Sequence, residues 1–98
     1  MKFKKTTFLF AVNSANELKE IKKITCSIFG GYSLTQMCGG WTDEETSEIL
    51  EETSYKLEII SEKEHKYFDN LAQHICKIAN QKAVFHYTDN IILTIINQ

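Results

Sequence analysis

Two amphipathic helical segments, each set between strand-like segments, constrain this fold more than any other feature of the sequence. The first is predicted over about residues 15–29, and the second from a capping box at residues 61–64 to about Gln81. Their apolar stripes are Leu18, Ile21, Thr25 and Ile28 in the first and Phe68, Leu71, Ala72, Ile75, Ile78 and Ala79 in the second. A capping box at residues 14–17 opens the first helix, and Gly30-Gly31 ends it. Each helix therefore has one face to bury against a sheet.

The segments around these helices have strand patterns. Residues 6–12 are β-branched, aromatic and apolar at consecutive positions, which predicts a central strand buried on both faces. Residues 32–38 predict a short strand, and Gly39-Gly40 after it suggests a bulge or a close backbone approach. After a loop at residues 42–47, the alternation in residues 49–60 predicts a strand with one wet face. Residues 32–60 are thus expected to form a long hairpin.

Two further strands are predicted at the C-terminal side, at residues 83–88 and 91–96, around Asp89-Asn90 as a two-residue turn. The resulting fold class is α+β: a ferredoxin-like β-α-β-β-α-β order with an additional C-terminal strand. The sheet is expected to be antiparallel, with both helices on one face. We expect residues 1–98 to form a single domain.

The helix-free face of such a sheet needs a cover. The apolar runs at residues 8–12 and 91–96 offer apolar side chains to both faces, whereas the helices cover one. A second copy of the chain is the simplest cover, so a homodimer or higher homo-oligomer is predicted.

Composition narrows the partners. Hydrophobic residues make up 43% of the 98 residues, yet no stretch approaches the length that spans a bilayer. The N-terminal apolar run lacks a cleavage signal, so a cytoplasmic location and no membrane partner are expected. All eleven basic residues are lysines, and arginine is the residue suited to bidentate phosphate and guanine contacts. Neither DNA nor RNA is therefore expected as a partner.

Cysteine and histidine spacing predicts neither a disulfide framework nor a metal site. The residues concerned are Cys26, Cys38, Cys76, His65, His74 and His86. No CxxC pair occurs, which favours reduced and largely buried thiols. His65 and His74 fall on opposite sides of the second helix, and His86 has no partner that the sequence identifies. No metal and no other cofactor are predicted.

Polar and aromatic residues concentrate on the hairpin and around the strand after the second helix. The candidate ligand contacts are Tyr32, Ser33, Trp41, Glu52, Ser54, Gln81 and His86. Glu52 is expected to accept hydrogen bonds from ribose hydroxyls, Trp41 to stack on a base unless it is a hydrophobic plug, and Ser33 to meet phosphate. No catalytic residue is predicted, because Ser33 lacks a GxSxG context and an obvious base.

Four short segments carry a resemblance to a group of known proteins. Gly30-Gly31-Tyr32-Ser33, Gly40-Trp41, Glu52-Thr53-Ser54 and Gln81-Lys82-Ala83-Val84 resemble a pattern of small ferredoxin-like phage and bacterial proteins of unknown function. Ser33 stands where that pattern more often has threonine. The resemblance implies a pocket near the hairpin and brings no known reaction.

Small oligomeric phage proteins of this kind include ones that sequester host nucleotide immune signals. The resemblance thus favours a non-enzymatic homo-oligomer that binds a nucleotide-like ligand as a counter-defence sponge, in the host cytoplasm if phage-encoded. Two alternatives stay open. One is a protein-binding inhibitor or structural module that uses a sheet edge or the loop at residues 42–47, which carries Asp43, Glu44 and Glu45. The other is a small dimeric α+β barrel enzyme with His86, Glu52 or a tyrosine as acid or base.

Overall fold

Two helices lie on one face of a four-stranded antiparallel sheet. The computed structural model describes residues 2–81 and 84–96. Its elements are β1 (Lys4–Phe10), α1 (Ala15–Phe29), β2 (Ser33–Thr42), β3 (Ile49–Ser61), α2 (His65–Ile78) and β4 (Phe85–Asn90). The strand order across the sheet is β2-β3-β1-β4, and every neighbouring pair is antiparallel. The predicted ferredoxin-like α+β class is confirmed.

The core fills the space between the helices and the central strands. Its fully buried apolar side chains include Phe8, Ile21, Leu57, Ile59, Phe68, Leu71 and Ile75. The Phe8 ring lies 6.5 Å from that of Phe68, which in turn lies 4.8 Å from Phe29 at the end of α1. These ring contacts join β1 to both helices. The predicted apolar stripes of the two helices supply the helical half of this core.

The ends of α1 agree with the sequence signals. The Ser14 hydroxyl accepts a hydrogen bond from the Glu17 amide at 3.2 Å, and the Glu17 carboxylate accepts one from the Asn13 amide at 2.8 Å. Gly30 ends the helix in the left-handed region with a φ of 85°. Local chemistry therefore suffices to bound this helix.

The predicted start of α2 is wrong. Ser61 lies at the end of β3, where it pairs with Lys4, and its hydroxyl accepts a hydrogen bond from the Lys63 amide. The helix begins at His65 with Glu64 as an N-cap that makes no side-chain capping bond. Pairing with β1 extends β3 to Ser61, the first residue of the expected capping box. The helix also ends earlier, at Ile78 rather than near Gln81.

The predicted C-terminal hairpin is wrong as well. Asp89 and Asn90 lie inside β4 and pair with Lys5 and Lys4. Because β1 offers ladder partners to both residues, they continue the strand instead of turning. Residues 91–96 then belong to no strand, so the described chain lacks the additional C-terminal strand. Residue 83, the expected start of the preceding strand, lies outside the described residues.

Smaller differences concern the other strands. β1 runs from Lys4 to Phe10 rather than over residues 6–12. β2 continues through Gly39-Gly40 without a bulge to Thr42, and the loop covers residues 43–48. The alternative of a close backbone approach holds at Gly40, where an added Cβ would lie 3.3 Å from the Leu50 carbonyl oxygen.

The cysteines are free but not largely buried. Cys26 and Cys38 are exposed, and Cys76 is partly exposed. The expected burial is therefore wrong. Cys26 and Cys76 lie on the helices outside their apolar stripes, and Cys38 lies on β2 in the long hairpin.

Among the described helices, none has the length and apolar content that a bilayer crossing requires.

The long hairpin projects beyond the rest of the sheet. β1 ends where Phe10 pairs with Tyr55, so no third strand from the described residues lies beside residues 37–42 of β2 and 49–54 of β3. We call these two stretches the arm. The sheet face opposite the helices, here the open face, carries Leu9, Lys56, Glu58, Phe85 and Tyr87 among others. The molecule is correspondingly elongated, with extents of 54 × 27 × 24 Å.

The end of α1 offers a matched pair of glycine substitutions. Gly30→Ala is expected to lower the free energy of unfolding by about 1 kcal/mol, because a Cβ is disfavoured in the left-handed region. An added Cβ at Gly30 meets no atom of the described residues within 4 Å, so the cost is conformational. Gly31→Ala serves as the control, since Gly31 has equal space and no positive φ. Urea denaturation of both variants measures the difference. Equal stabilities would contradict the left-handed conformation of Gly30.

Candidate functional site

Three of the predicted ligand contacts meet in one cleft at the base of the arm. The arm-base cleft has a volume of about 430 Å³. It is lined by Leu9, Phe10, Ala11, Glu52, Ser54, Gln81 and Phe85. Glu52, Ser54 and Gln81 were expected to share a site, and the structure brings them together.

The end of β1 creates this cleft. β3 continues into the arm after β1 has stopped, so Glu52 and Ser54 border a space that a longer β1 would fill. The two side chains lie two residues apart on one strand and therefore point to the same face. Gly39 pairs with Glu52, and having no side chain, it leaves that face uncovered on the β2 side.

The loops that close the cleft are tied to each other. The Asn13 side chain, after β1, donates a hydrogen bond to the Ala79 carbonyl at 3.3 Å. Beyond α2, the backbone N–H of Gln81 donates a hydrogen bond to the Cys76 carbonyl at 3.0 Å. These bonds fix the backbone that leads up to the Gln81 side chain. The polar wall of the cleft is consequently built on regular elements and their immediate caps.

The cleft combines polar and apolar groups that suit a flat, polar ligand. The Glu52 carboxylate accepts hydrogen bonds, the Ser54 hydroxyl both donates and accepts, and the Gln81 amide offers a donor and an acceptor side by side. Leu9 and Phe85 supply apolar surface in the same cleft. Ligand pockets typically join such a small polar set to an apolar wall.

Tyr32 and Ser33 lie in a different cleft, next to the start of β2. The Lys5 cleft has a volume of about 320 Å³. It is lined by Lys5, Phe29, Gly31, Tyr32, Ser33, Glu58 and Ile60. β2 begins opposite Glu58, so the last residues of β3 extend past it and leave this space open. The Lys5 cleft and the arm-base cleft share no lining residue.

Charges in the Lys5 cleft are paired. The Glu58 carboxylate lies 3.2 Å from the Lys5 ammonium and 3.5 Å from that of Lys56. The hydrogen bond from Lys5 is the largest cause that holds the pKa of Glu58 below its ordinary value, and Lys56 adds to it against the opposing effect of burial. Lys5 is thus already engaged by a carboxylate.

Trp41 lies in neither cleft. It pairs with Leu50 near the tip of the arm, and half of its surface is exposed. The alternative of a hydrophobic plug at the sheet therefore does not describe it. By the register of the arm, Trp41 lies on the same face as Glu52, two positions beyond Gly39 towards the tip.

His86 belongs to a cluster that the sequence did not indicate. Its Nε2 lies 3.3 Å from an Asp69 oxygen, and the His65 Nε2 lies 3.3 Å from the same oxygen. The His86 ring stacks on Phe8 at 5.3 Å, and its Nδ1 is buried with no hydrogen-bond partner among the described residues. Asp69 thus orients two histidines on the helix side of the sheet.

Sequence reasoning missed Phe85 and Leu9 in the arm-base cleft and Asp69 beside His86. Leu9 and Phe85 pair across β1 and β4, a contact between residues distant in the sequence. Asp69 follows His65 by one helical turn, a spacing that would have drawn attention to this pair. Within residues 2–81 and 84–96, no three His, Cys, Asp or Glu side chains are placed to hold a metal ion.

Comparison by sequence gives no relative: no family model matches the chain, and no curated protein matches it. Comparison by structure gives clear matches. The GlnK–ATP complex of Bacillus subtilis has a TM-score of 0.68 at 13% identity, over 93% of this chain and 84% of GlnK. CutA from Synechococcus elongatus has a TM-score of 0.64 at 12% identity, over 93% of this chain and 78% of CutA.

A phage SAM lyase bound to S-methyl-5'-thioadenosine is a third structural match. Its TM-score is 0.61 at 15% identity, over 91% of this chain and 81% of the lyase. At these identities the three matches establish the fold. The chain thus shares its ferredoxin-like architecture with small bacterial proteins and with a phage protein.

The Lys5–Glu58 ion pair predicts a contribution to the free energy of unfolding that is lost in acid. The folded state lowers the pKa of Glu58, so this contribution is complete above the ordinary glutamate pKa of about 4.3 and is lost as the pH falls through the lowered value. Glu58→Gln is expected to reduce the loss of stability between about pH 7 and about pH 3. Urea denaturation across this range provides the measurement.

Glu62→Gln is the matched control, because Glu62 is exposed and makes no ion pair within the described ranges. It should leave the acid dependence of the wild type in place. Identical pH profiles for the wild type and Glu58→Gln would contradict the role given to the Lys5–Glu58 pair.

Proposed function

We propose that this chain is a non-enzymatic, homo-oligomeric protein that binds an adenosine-type nucleotide or nucleoside in the arm-base cleft. The observation that carries the proposal is the convergence of Glu52, Ser54 and Gln81 in one cleft with Leu9 and Phe85. Each group has a counterpart in such a ligand. The carboxylate suits vicinal ribose hydroxyls, the amide suits the donor and acceptor edge of adenine, and the Phe85 ring suits a base face.

Ligands of the structural neighbours support the same chemistry. The Bacillus subtilis GlnK structure is a complex with ATP, and the phage SAM lyase structure is a complex with S-methyl-5'-thioadenosine. Both ligands contain adenosine. Two proteins with this architecture thus hold that group, which makes ATP and S-methyl-5'-thioadenosine the first ligands to test.

Sequestration is the finer part of the proposal. The sequence resemblance to small phage proteins favours a nucleotide-type immune signal as ligand and a counter-defence role in the host cytoplasm. A sponge binds its ligand tightly and does not convert it, so the cellular ligand should remain with the purified protein. Native mass spectrometry of protein from infected or signal-producing cells would detect it; recovery with no bound small molecule would contradict sequestration.

An enzymatic role is the second candidate, favoured by the similarity to the phage SAM lyase. Glu52 would then act on a bound S-adenosyl compound instead of only accepting hydrogen bonds. Incubation with S-adenosylmethionine, followed by chromatography for S-methyl-5'-thioadenosine, separates the two roles. Recovery of the intact compound favours binding alone, whereas formation of the thioadenosine that depends on Glu52 establishes the enzyme.

The arm offers a matched pair of carboxylates for testing the cleft. Glu52→Gln is expected to weaken binding of ATP or S-methyl-5'-thioadenosine by about tenfold, the effect of losing one charged hydrogen bond. Phe85→Ala is expected to weaken binding similarly without loss of the fold, because Phe85 is 74% exposed. Isothermal titration calorimetry measures both effects.

Glu51→Gln is the control. Glu51 neighbours Glu52 on β3 but points to the opposite face, where it contacts Cys38 at 3.7 Å. Its substitution should leave the affinity unchanged. Equal affinities for all three variants and the wild type would place the ligand outside the arm-base cleft.

A further inference from the structure

The C-terminal run is a mostly exposed apolar segment that borders a cleft with Phe3 and adds no side chain to the core. Residues 91–96, here called the tail, read Ile-Ile-Leu-Thr-Ile-Ile and belong to no strand. Ile92 is 99% exposed and Ile96 is 84% exposed. β-Branched apolar residues have the highest preference for strands, and an exposed run of them marks an interaction site.

The arm is a second apolar feature without a cover. Trp41 is 50% exposed and Ile49 is 74% exposed. The outer edge of β2 has no further strand beside it among the described residues. Exposed strand edges are usually protected by charged side chains, yet β2, with the sequence SLTQMCGGWT, has none. Its edge is therefore open to pairing with another strand.

The tail cannot reach the arm of its own chain. β4 ends with Asn90 beside Lys4, at the end of the sheet where Lys4 pairs with Ser61. Trp41 pairs with Leu50, which precedes Ser61 on β3 by a distance of about 36 Å along an extended strand. Six residues span at most about 21 Å, and β4 runs away from the arm.

We infer that the tail of one copy pairs as an added strand with the β2 edge of the arm in a second copy. Each chain carries both halves of this contact at opposite ends, so the contact is heterologous and forms a ring when the rotation between copies closes. The inference rests on the homo-oligomeric state in the proposed function and names the surfaces that build it. Main-chain hydrogen bonds join the strands, and alternate tail residues cover Met37 and Trp41.

Complementary defects test the contact in the full chain. A tail variant, Ile92→Lys with Ile95→Lys, and an arm variant, Trp41→Lys, are each expected to be folded and monomeric by circular dichroism and light scattering. A mixture of the two contains one intact tail and one intact arm. It is therefore expected to form a heterodimer, whereas a tail-on-tail or face-to-face contact would give none.

Ile60→Lys is the control for contact through the open face, where Ile60 is half exposed. It should leave the wild-type assembly intact. A mixture that stays monomeric, or an assembly that only Ile60→Lys dissociates, overturns the tail-on-arm contact while the homo-oligomer stands. A monomeric wild type at micromolar concentration overturns the homo-oligomer as well. Calorimetry on the wild-type protein shows separately whether the ligand proposal holds.

The native Cys38 on β2 provides a direct probe of the pairing. In a Cys26→Ser, Cys76→Ser background, single cysteines at residues 91–95 should form intermolecular disulfides with Cys38 under mild oxidation. Because side chains alternate along a strand, the yield is expected to alternate with position. Cys38→Ser should abolish every cross-link. Cross-links at no position, or cross-links that persist without Cys38, would overturn pairing along β2.

Discussion

The antiparallel pairing of β1 with β3 is the interaction on which the rest of the structure depends. It sets Phe8 opposite Leu57 and Thr6 opposite Ile59, and all four side chains are fully buried beneath the helices. A slip of one residue would turn Glu58 and Lys56 towards the core and expose the apolar set. The register is therefore held by the free-energy difference between burying aromatic and aliphatic surface and burying unpaired charges.

The same register positions both clefts. At one end of the sheet, β3 extends beyond the start of β2, and the Lys5–Glu58 pair lines the space left open there. At the other end, β3 extends beyond the end of β1, and Glu52 and Ser54 line the space left open there. Each cleft is thus a place where one strand continues after its neighbour has ended. A fold of two helices on four strands can vary its sites by strand length alone, without any change in its core.

Sequence signals correctly predicted those helix ends that are set by interactions within a few residues. The first and last residues of α1 follow from Ser14, Glu17 and Gly30, which act within one turn of the chain. The start of α2 and the end of β4 could not be predicted in this way, because β1 supplies the ladder partners of Ser61 and of Asp89-Asn90. A turn-forming pair is a weak preference that a strand partner overrides.

The candidate site divides along the same line. Glu52 and Ser54 share a face by the alternation of one strand, so sequence could group them, whereas Leu9 and Phe85 meet across two strands.

In the proposed assembly, the ligand and the tail of the neighbouring copy contact opposite edges of the arm, which is a two-stranded ribbon. Such a ribbon is marginally stable by itself. A contact that orders one edge lowers the conformational cost of binding at the other, so assembly and ligand binding are expected to reinforce each other.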